Sequence, residues 1–395
     1  MIISEREKCT GCGMCVDLCG KNAITMIKDS HGFYYPNIDS ERCISCGLCQ
    51  KKCPVNNCFD QASTPQMVYA AWHKNKDIRK RSTSGGVFTA LAEQVINNGG
   101  VVAGVKWNDD FQAVHFIAEN MKDLSLFNGS KYVQSHADSV YLKVRAALSD
   151  NKIVLFSGTP CQNNALKLFL GRDYPNLYMI DLVCHGVPSE EVLSRYLAER
   201  TNNIDSIKHI SFRAKKPFWD WGYVSIDFDN QQAYSALTNE DSYFAIFNIG
   251  YSLRESCHKC RYCNMNRYGD ITLADFWGYR ANSFKTRDYL KGTSLVMINS
   301  RKGETLFRKV QNTLVWSEST KEEALRGQQA LKKPFPPPEE EVRNFWSDFE
   351  EGMSIDQLRD KYIGGVPFSP PKHLWLRRIF YRYRWLFKTN GKFKK

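Results

Sequence analysis

The chain of 395 residues has a formal net charge of +12, and 43% of its residues are apolar and 13% aromatic. At roughly 150 residues per domain this length allows two or three domains, and the apolar content is sufficient for a buried core. The mean hydropathy is -0.45, and the absence of any apolar run of about 18 residues excludes a membrane-spanning protein. Because the polar start of the chain lacks the apolar stretch of a signal peptide, we expect a cytoplasmic protein.

Eight of the 14 cysteines form two copies of a C-x2-C-x2-C-x3-C run near the start of the chain. The first run is Cys9, Cys12, Cys15 and Cys19, and the second is Cys43, Cys46, Cys49 and Cys53. This spacing is typical of bacterial ferredoxins, in which the fourth cysteine of each run binds the cluster of the other run. The sequence thus predicts one [4Fe-4S] cluster on Cys9, Cys12, Cys15 and Cys53, and another on Cys43, Cys46, Cys49 and Cys19. Structural zinc, the alternative, usually uses separated C-x2-C pairs and fits two triple runs poorly.

The predicted elements divide the chain into four parts. Residues 1–60 form the ferredoxin-like domain, with strands at 23–27 and 32–36, and a polar linker follows at 60–65. In the next domain, 66–300, the predicted helices are 84–98, 139–148, 164–170 and 190–200, and the predicted strands are 101–105, 152–156, 177–183, 207–212, 223–228 and 271–276. Ser189 is the expected cap of the last of these helices. A helical extension at 301–370 and a basic tail at 371–395 complete a fold of the α+β or α/β class.

Further cysteines follow two of the predicted strands, at the sheet edge where α/β proteins bind ligands. A helix N terminus at such a strand-to-helix turn is expected to lower the pKa of a thiol. The candidate ligands of a third [4Fe-4S] cluster are Cys161, Cys184, Cys257 and Cys260. A zinc site, buried structural cysteines, or Cys161 as a nucleophile with His185 as its base are the alternatives. Cys58 and Cys263 remain spare, and Cys263 can replace one of the four.

Five ordered motifs accompany the cysteine runs, and the whole set resembles the coenzyme F420 hydrogenase/dehydrogenase beta-subunit family over residues 1 to about 300. The motifs are STSGG at 82–86, GTPCQ at 158–162, CHG at 184–186, SCHKC at 256–260 and DITLADFWG at 270–278. The resemblance implies an iron-sulfur flavoprotein with FAD, and it places the third cluster on the four motif cysteines. Cys263 is a departure, since relatives often have another residue there.

The same resemblance implies which residues contact the flavin. The candidates are Thr83, Ser84, Gly85 and Gly86, with Asp275 as a further one. Lys131 and Arg213 are candidates for holding flavin phosphate or, alternatively, an acidic substrate. Glycines at a helix N terminus let a pyrophosphate approach backbone N–H groups, so the motif suits this role. An ordinary helix cap is the alternative for the 83–86 segment, and solvated surface charge is the alternative for the basic residues.

Clusters pass single electrons and a flavin can exchange two, so the leading hypothesis is an oxidoreductase. Electrons from a ferredoxin or another donor protein would reduce an organic substrate, and the resemblance implies a sugar or lipid-linked substrate of polysaccharide or cell-envelope biosynthesis. The alternatives are hydride exchange with coenzyme F420 and a non-catalytic electron-relay subunit. His185 is a candidate proton donor, with a packed histidine beside a cluster ligand as the alternative.

The tail at 371–395 contains nine Lys or Arg residues and no Asp or Glu, interleaved with aromatic and aliphatic residues. This pattern is typical of helices that lie in an anionic membrane interface, so we expect peripheral binding at the inner face of the membrane. A solvated or partner-bound helix is the alternative. Nucleic-acid binding is not expected, because no recognition fold accompanies the tail.

Overall fold

The secondary structure alternates between strands and helices, as the hydrophobic pattern predicts. The computed structural model describes residues 3–57, 63–137, 139–201, 203–215, 219, 222–230, 232–281, 284–286 and 288–364. The strands are β1 (Ile24–Lys28), β2 (Tyr34–Ile38), β3 (Met67–His73), β4 (Val101–Trp107), β5 (Ala113–Ala118), β6 (Val154–Gly158), β7 (Leu177–Leu182), β8 (Ile207–Ala214), β9 (Tyr223–Phe228), β10 (Ala233–Leu237), β11 (Ile271–Asp275), β12 (Ser294–Ile298) and β13 (Leu314–Ser319). The α-helices are α1 (Met14–Leu18), α2 (Leu48–Lys52), α3 (Lys76–Arg81), α4 (Val87–Asn97), α5 (Met121–Leu124), α6 (Val140–Ser149), α7 (Pro160–Leu170), α8 (Glu190–Arg200), α9 (Ser242–Ile249), α10 (Glu255–His258), α11 (Arg301–Val310), α12 (Lys321–Leu325), α13 (Glu339–Glu350) and α14 (Ile355–Ile363).

A mixed eight-stranded sheet supports most of these elements, in the order β13-β3-β12-β11-β7-β6-β4-β5. The four strands β4, β6, β7 and β11 run parallel, and antiparallel strands flank them on both sides. In β6, Leu155 packs on the side of α4 and α11, whereas Val154 and Phe156 pack on the side of α6 and α7. Because both faces are covered, this strand is continuously apolar. The predicted mixed α/β class is confirmed.

Two helix starts differ from the predicted ones for local reasons. Helix α4 begins at Val87 rather than at residue 84, because Gly86 has a left-handed backbone with φ 85°. Helix α7 begins at Pro160 rather than at residue 164, because Gln162 Oε1 accepts a hydrogen bond from the Thr159 N–H at 3.0 Å and closes the first turn. Ser189 caps α8 as predicted, accepting from the N–H of Val192.

The C-terminal part of the described chain is not a separate helical unit. Strand β13 lies within the predicted extension, yet it pairs with β3 and completes the eight-stranded sheet. The predicted boundary at residue 300 therefore falls inside this sheet. Helices α13 and α14 pack instead with α8 and α9 on a three-stranded antiparallel sheet, in the order β10-β9-β8.

The N-terminal module is docked on α8 and α13 through its β1–β2 hairpin. Lys28 Nζ lies 3.1 Å from a carboxylate oxygen of Glu191, and the His31 ring stacks on Trp346 with ring centroids 4.2 Å apart. A Cβ at Gly32 would lie 2.4 Å from the Glu191 nitrogen, so only glycine permits this approach. These contacts hold the N-terminal module, and with it the two cysteine runs, against α8 and α13.

Candidate functional site

Each cysteine run includes a short helix, and the fourth cysteine of each run lies beside the other run. Gly11, Gly13 and Gly47 have positive φ angles, which let the chain turn tightly between cysteines. Burial and the neighbouring Cys9 and Cys53 thiolates raise the pKa of Cys15 to about 12. Burial also raises the pKa of Cys49, with contributions from Cys46 and Cys19. Each run's fourth cysteine thus lies beside the other run, which is the crosswise arrangement that paired cubanes need. We call Cys9, Cys12, Cys15 and Cys53 the middle set, and Cys19, Cys43, Cys46 and Cys49 the outer set.

A third group of thiols converges at the carboxyl edge of the parallel strands. Cys161 lies in the first turn of α7, directly after β6, and Cys184 lies just after β7. Cys257 is part of α10, and Cys260 follows that helix. We call these four residues the inner set. They line one cavity, together with Cys263.

Cys161 and Cys184 do not have the lowered pKa expected from helix N termini. Burial raises the pKa of Cys161 to about 11 and that of Cys257 to about 12, and neighbouring cysteines add to both shifts. Burial likewise raises the pKa of Cys184, which follows β7 but precedes the first residue of α8 by several positions. The prediction is therefore wrong for both strand-end cysteines, because desolvation outweighs the helix dipole.

Cys263 is a fifth thiol at this site. It is buried, and a hydrogen bond between its thiol and Cys260 lowers the pKa of Cys260 to about 7. The electrostatic neighbours of Cys263 include Cys184 and Cys257. Both ligand assignments, with Cys260 or with Cys263 as the fourth residue, are therefore compatible with the geometry.

The donor set determines which metal group fits. Within the described ranges, no three His, Cys, Asp or Glu side chains are close enough to share a single metal ion. A cubane distributes its four thiolates over four irons, so its ligands do not converge on one atom as zinc ligands do. Neighbouring cysteines help to raise the pKa of Cys161, Cys184 and Cys257, so these thiols need a cationic core to ionise together. The residues that line the inner cavity include five cysteines and no carboxylate, and this chemistry fits a [4Fe-4S] cluster.

The middle and inner sets are neighbours. Thr10 and Gly11, from the first cysteine run, line the same cavity as the inner set. The raised pKa of Cys12 is caused mainly by burial, and Cys161 is among the charges that add to it. The Tyr141 hydroxyl donates to the Cys12 carbonyl oxygen at 2.8 Å and holds the run against α6. Since Cys46 in the outer set is exposed, the three sets form a series from the surface to the interior.

A buried guanidinium joins the middle set to the inner set. Arg254 is fully buried and directly precedes α10, the helix that contains Cys257. Its Nε donates to the Cys9 carbonyl at 2.6 Å, and its Nη1 donates to Gln134 Oε1 at 3.0 Å. In the described part of the chain, no carboxylate forms an ion pair with it. A buried cation without an acid partner is costly, and anionic clusters on both sides would supply the missing charge.

A second buried arginine fixes the loop that follows Cys260. Arg267 and Asp181, at the end of β7, are both buried and lie 3.2 Å apart. Arg267 also donates to the backbone carbonyls of Leu182 at 2.8 Å and Asn264 at 3.2 Å. Because these bonds attach the loop to the strand that precedes Cys184, they help to bring the separated inner cysteines together.

The flavin candidates lie together near the start of α4. Thr83 Oγ1 accepts a hydrogen bond from the Ser130 N–H at 2.9 Å, which brings the 82–86 segment beside Lys131. Burial lowers the pKa of Lys131 to about 7, and its ammonium donates to two backbone carbonyls. The Asp275 carboxylate accepts from Arg213 at 3.3 Å. These scattered candidates therefore face one region.

Two further cations in this region were not predicted as flavin contacts. Lys215 Nζ donates to the backbone oxygens of Arg79 and Ser84, and burial lowers the pKa of Lys215 to about 7. The Arg79 side chain is also buried, which lowers its pKa to about 9. Among the described residues, Lys131 and Lys215 have no carboxylate within hydrogen-bond distance. A group of partly buried cations without carboxylate partners fits a phosphate-bearing cofactor.

The glycines of the STSGG motif also have a packing role. A Cβ at Gly85 would lie 2.4 Å from the Ala71 carbonyl of β3, and the Gly85 N–H donates to Ser294 Oγ at 3.0 Å. Ser84 Oγ donates to the Thr293 carbonyl at 2.8 Å. Small residues are thus required here by the neighbouring strands, and the flavin contacts of Thr83, Ser84, Gly85 and Gly86 stay predictions.

His185 is packed beside the inner set. Its Nε2 lies 3.1 Å from the Phe247 carbonyl, and its ring contacts the rings of Phe247 and Phe335. Burial lowers its pKa, so the ring is neutral near pH 7. This environment matches a packed histidine next to Cys184, and its role as a proton donor stays a prediction.

Some predicted features lie outside the described residues. These are Cys58, residues 60–62 of the linker and the tail at 371–395. Among the helices that the structure does describe, none is both long enough and apolar enough to cross a membrane.

Comparison with known families shows which family the chain belongs to. The model for the coenzyme F420 hydrogenase/dehydrogenase beta subunit N-terminal region matches residues 68–141, and the model for the C terminus of that subunit matches residues 151–323. Together they cover more than half of the chain. The chain belongs to the coenzyme F420 hydrogenase/dehydrogenase beta-subunit family. Residues 8–57 match a 4Fe-4S dicluster domain, so the N-terminal module is an iron-sulfur module and the predicted family is confirmed.

Two individual proteins are similar to parts of the chain. An uncharacterized ferredoxin from Methanocaldococcus jannaschii is 47% identical over 55 residues, which is 14% of this chain and 70% of the ferredoxin. A chain from the F420-reducing [NiFe] hydrogenase complex of Methanosarcina barkeri aligns with a TM-score of 0.46 and 18% identity. That alignment covers 76% of this chain and 92% of the other.

Substitution of inner cysteines tests the third centre. Cys161→Ala and Cys257→Ala are each expected to lower the iron content by about four per chain, since a cubane deprived of a thiolate ligand is lost. Iron and labile sulfide are measured after anaerobic purification. Cys260→Ala and Cys263→Ala are compared with each other, and the one that removes the fourth ligand should lose the same iron while the other retains it. Full iron in Cys161→Ala would contradict an inner cluster.

Substitution of Arg254 tests its electrostatic role. Arg254→Gln removes a positive charge between two cluster sites, so the midpoint potential of a neighbouring cluster should fall by several tens of millivolts. A tenfold change in a one-electron equilibrium corresponds to about 59 mV. Arg254→Lys keeps the charge and should restore most of the potential, as followed by potentiometric titration with electron paramagnetic resonance. Equal potentials in the wild type and Arg254→Gln would show that the arginine only packs.

Proposed function

We propose that this protein is an iron-sulfur flavoprotein oxidoreductase that takes up single electrons at its N-terminal module and delivers electron pairs to an organic substrate. The observation that supports this most is the series of thiol sets. Cys46 in the outer set is exposed, the outer and middle sets share the ferredoxin-like module, and Thr10 and Gly11 of the middle run line the cavity of the inner set. A chain with one isolated structural metal site would not need three contiguous sets.

FAD is the cofactor that we propose for the region around α4. Clusters supply one-electron transfer and a bound flavin supplies one- and two-electron transfer, so together they convert between the two. Lys131 and Lys215 would hold the phosphate groups, because both lie partly buried near the 83–86 segment without a carboxylate partner among the described residues. Arg213 and Asp275 neutralise each other at the side of this region and would position the cofactor through hydrogen bonds.

Hydride exchange with coenzyme F420 is the second candidate function. It is favoured by the family models, whose descriptions name coenzyme F420 hydrogenase and dehydrogenase. Bleaching of the oxidised deazaflavin by the reduced protein would distinguish this function from reduction of another organic molecule. A pure relay subunit would show neither reaction without its partner enzyme.

The proposal extends to the substrate, the partners and the location. We propose a ferredoxin or similar protein as donor, and a sugar or lipid-linked acceptor in polysaccharide or cell-envelope biosynthesis. The tail at 371–395 would bind an anionic membrane surface at the cytoplasmic face, since its nine cationic residues alternate with apolar ones.

Removal of one buried cation tests the flavin region. Lys215→Met should weaken FAD binding to flavin-depleted protein by tenfold or more, because a charged hydrogen bond to phosphate is worth about 1.5–3 kcal/mol. The exposed Lys122→Met is the control and should bind FAD as the wild type does. Affinity is measured by quenching of flavin fluorescence.

The same titration has an expected pH dependence. A bound phosphate favours the protonated ammonium, whereas the free protein holds the pKa of Lys215 at about 7. Binding above that pH therefore requires proton uptake, and FAD affinity of the wild type should fall between pH 7 and pH 9. Equal affinity of Lys215→Met and the wild type throughout this range would contradict the placement of the phosphate.

A further inference from the structure

Two hydroxyl groups in the wall of the inner cavity lack an acceptor for their hydrogens. Ser256 and Tyr262 line this cavity together with the inner set. Ser256 Oγ is buried and has no hydrogen-bond partner among the described residues. Tyr262 is 5% exposed, and its hydroxyl oxygen accepts from Asn164 Nδ2 at 3.0 Å. No described residue accepts the hydrogen of that hydroxyl. Buried donors without acceptors are costly, so each of these two groups calls for a partner.

The cavity offers sulfur as that partner. Its wall contains five cysteines and no carboxylate. Ser256 directly precedes Cys257 in α10. Burial raises the pKa of Tyr262, and the Cys161 thiolate adds to the shift, so the phenol stays protonated and lies near the inner set. The hydroxyl of Thr159 already lies 3.0 Å from the Cys161 sulfur, which shows that hydroxyls approach these thiols closely.

The side-chain amide oxygens of the wall are already used by other donors. Gln134 Oε1 accepts from Arg254 at 3.0 Å. Gln162 Oε1 accepts from the Thr159 N–H, also at 3.0 Å. The thiol sulfurs are therefore the acceptors left for the hydroxyls of Ser256 and Tyr262.

We propose that the hydroxyls of Ser256 and Tyr262 donate hydrogen bonds to the sulfur atoms of the inner centre and raise its reduction potential. The inference rests on the proposed function, because it requires an iron-sulfur cluster on the inner set. Uptake of one electron adds one negative charge, so hydrogen bonds to the sulfurs stabilise the reduced form more than the oxidised form. Neither hydroxyl releases its proton in this role.

A raised potential at the inner centre gives the cysteine series a direction. Cys184 follows β7, and Asp275 of the flavin region ends β11, the neighbouring parallel strand. The inner set is therefore the set beside the flavin region, and single electrons from the middle set flow to it when its potential is higher. Arg254 contacts both sides and does not distinguish them, whereas the two hydroxyls line the inner cavity.

Removal of each hydroxyl tests the proposal in the full-length, cluster-loaded protein. Ser256→Ala and Tyr262→Phe should each make one-electron reduction of the inner centre about threefold to tenfold less favourable, which lowers its midpoint potential by about 30–60 mV. The potential is measured by anaerobic titration followed by electron paramagnetic resonance. The signal of the inner centre is the one that Cys161→Ala removes. Iron content is measured for each variant, so a lost cluster cannot be mistaken for a shifted potential.

Two hydroxyl residues outside the cavity wall provide matched controls. Ser252 is fully buried, and its Oγ also has no partner among the described residues. Tyr268 packs edge-on against the Tyr262 ring, with ring centroids 5.6 Å apart. Neither residue is among those that line the inner cavity. Ser252→Ala and Tyr268→Phe make the same substitutions and should leave the potential of the inner centre unchanged.

A spectroscopic measurement separates a hydrogen bond from packing. After exchange into deuterated water, pulsed electron paramagnetic resonance of the reduced inner centre should detect exchangeable deuterium. One coupling should be lost in Ser256→Ala and another in Tyr262→Phe, and both should remain in the two controls. Couplings that persist in both variants would contradict the proposed bonds, even if the potentials shift.

Three further outcomes would count against the inference. Iron-loaded Ser256→Ala and Tyr262→Phe with wild-type potentials would overturn it and leave the proposed function standing. Equal shifts in the controls would assign the effect to packing and overturn it as well. A shift in one variant alone would overturn the role of the other hydroxyl. Wild-type protein with full iron in the N-terminal module but without an inner signal would instead contradict the proposed function itself.

Discussion

The buried guanidinium of Arg254 is the contact on which the spatial order of the cysteine sets depends. It donates to the Cys9 carbonyl at 2.6 Å and to the Tyr34 carbonyl at 3.1 Å, both in the N-terminal module. The same residue directly precedes the helix that contains Cys257. One side chain thus ties the first cysteine run to the inner set. Loss of these bonds would leave buried carbonyls without hydrogen-bond donors. It would also weaken the attachment of the N-terminal module to the rest of the chain.

The electrostatics of this contact explain why metal clusters suit the site. Desolvation raises the pKa of Cys12, Cys161 and Cys184, and neighbouring thiolates add to each shift, so protein groups alone do not favour the ionisation of these three thiols. Arg254 contributes a fixed positive charge, but one cation cannot balance eight thiolates. Cationic iron-sulfur cores would neutralise most of that charge, which couples cluster binding to the stability of the packed module.

Local sequence spacing predicted the features that depend on neighbours in the chain. The C-x2-C-x2-C-x3-C runs require each thiolate to reach one cubane across tight turns, so the spacing itself indicates the ligand type. The strands before Cys161 and Cys184 were predictable because a parallel strand covered on both faces is continuously apolar. Parallel pairing of β6 with β7 then brings both cysteines to one edge.

Features that depend on distant packing were not predictable in the same way. Lys215 and Arg254 resemble ordinary surface cations in the sequence. In the structure Lys215 donates to the backbone oxygens of Arg79 and Ser84, and Arg254 is buried where it donates to carbonyls of the N-terminal module. The pKa of Cys161 was predicted in the wrong direction because the helix dipole is local, whereas desolvation depends on the whole fold. Gly85 was interpreted as a phosphate-binding glycine, yet the nearby Ala71 carbonyl is by itself sufficient reason for glycine.

The central claim is that one chain contains three cubane centres in series with a flavin. Iron, labile sulfide, zinc and flavin quantified per chain after anaerobic purification test it most directly. The account predicts about twelve irons, about twelve sulfides and one FAD per chain. About eight irons would remove the inner centre, and zinc in place of iron would contradict the electron path.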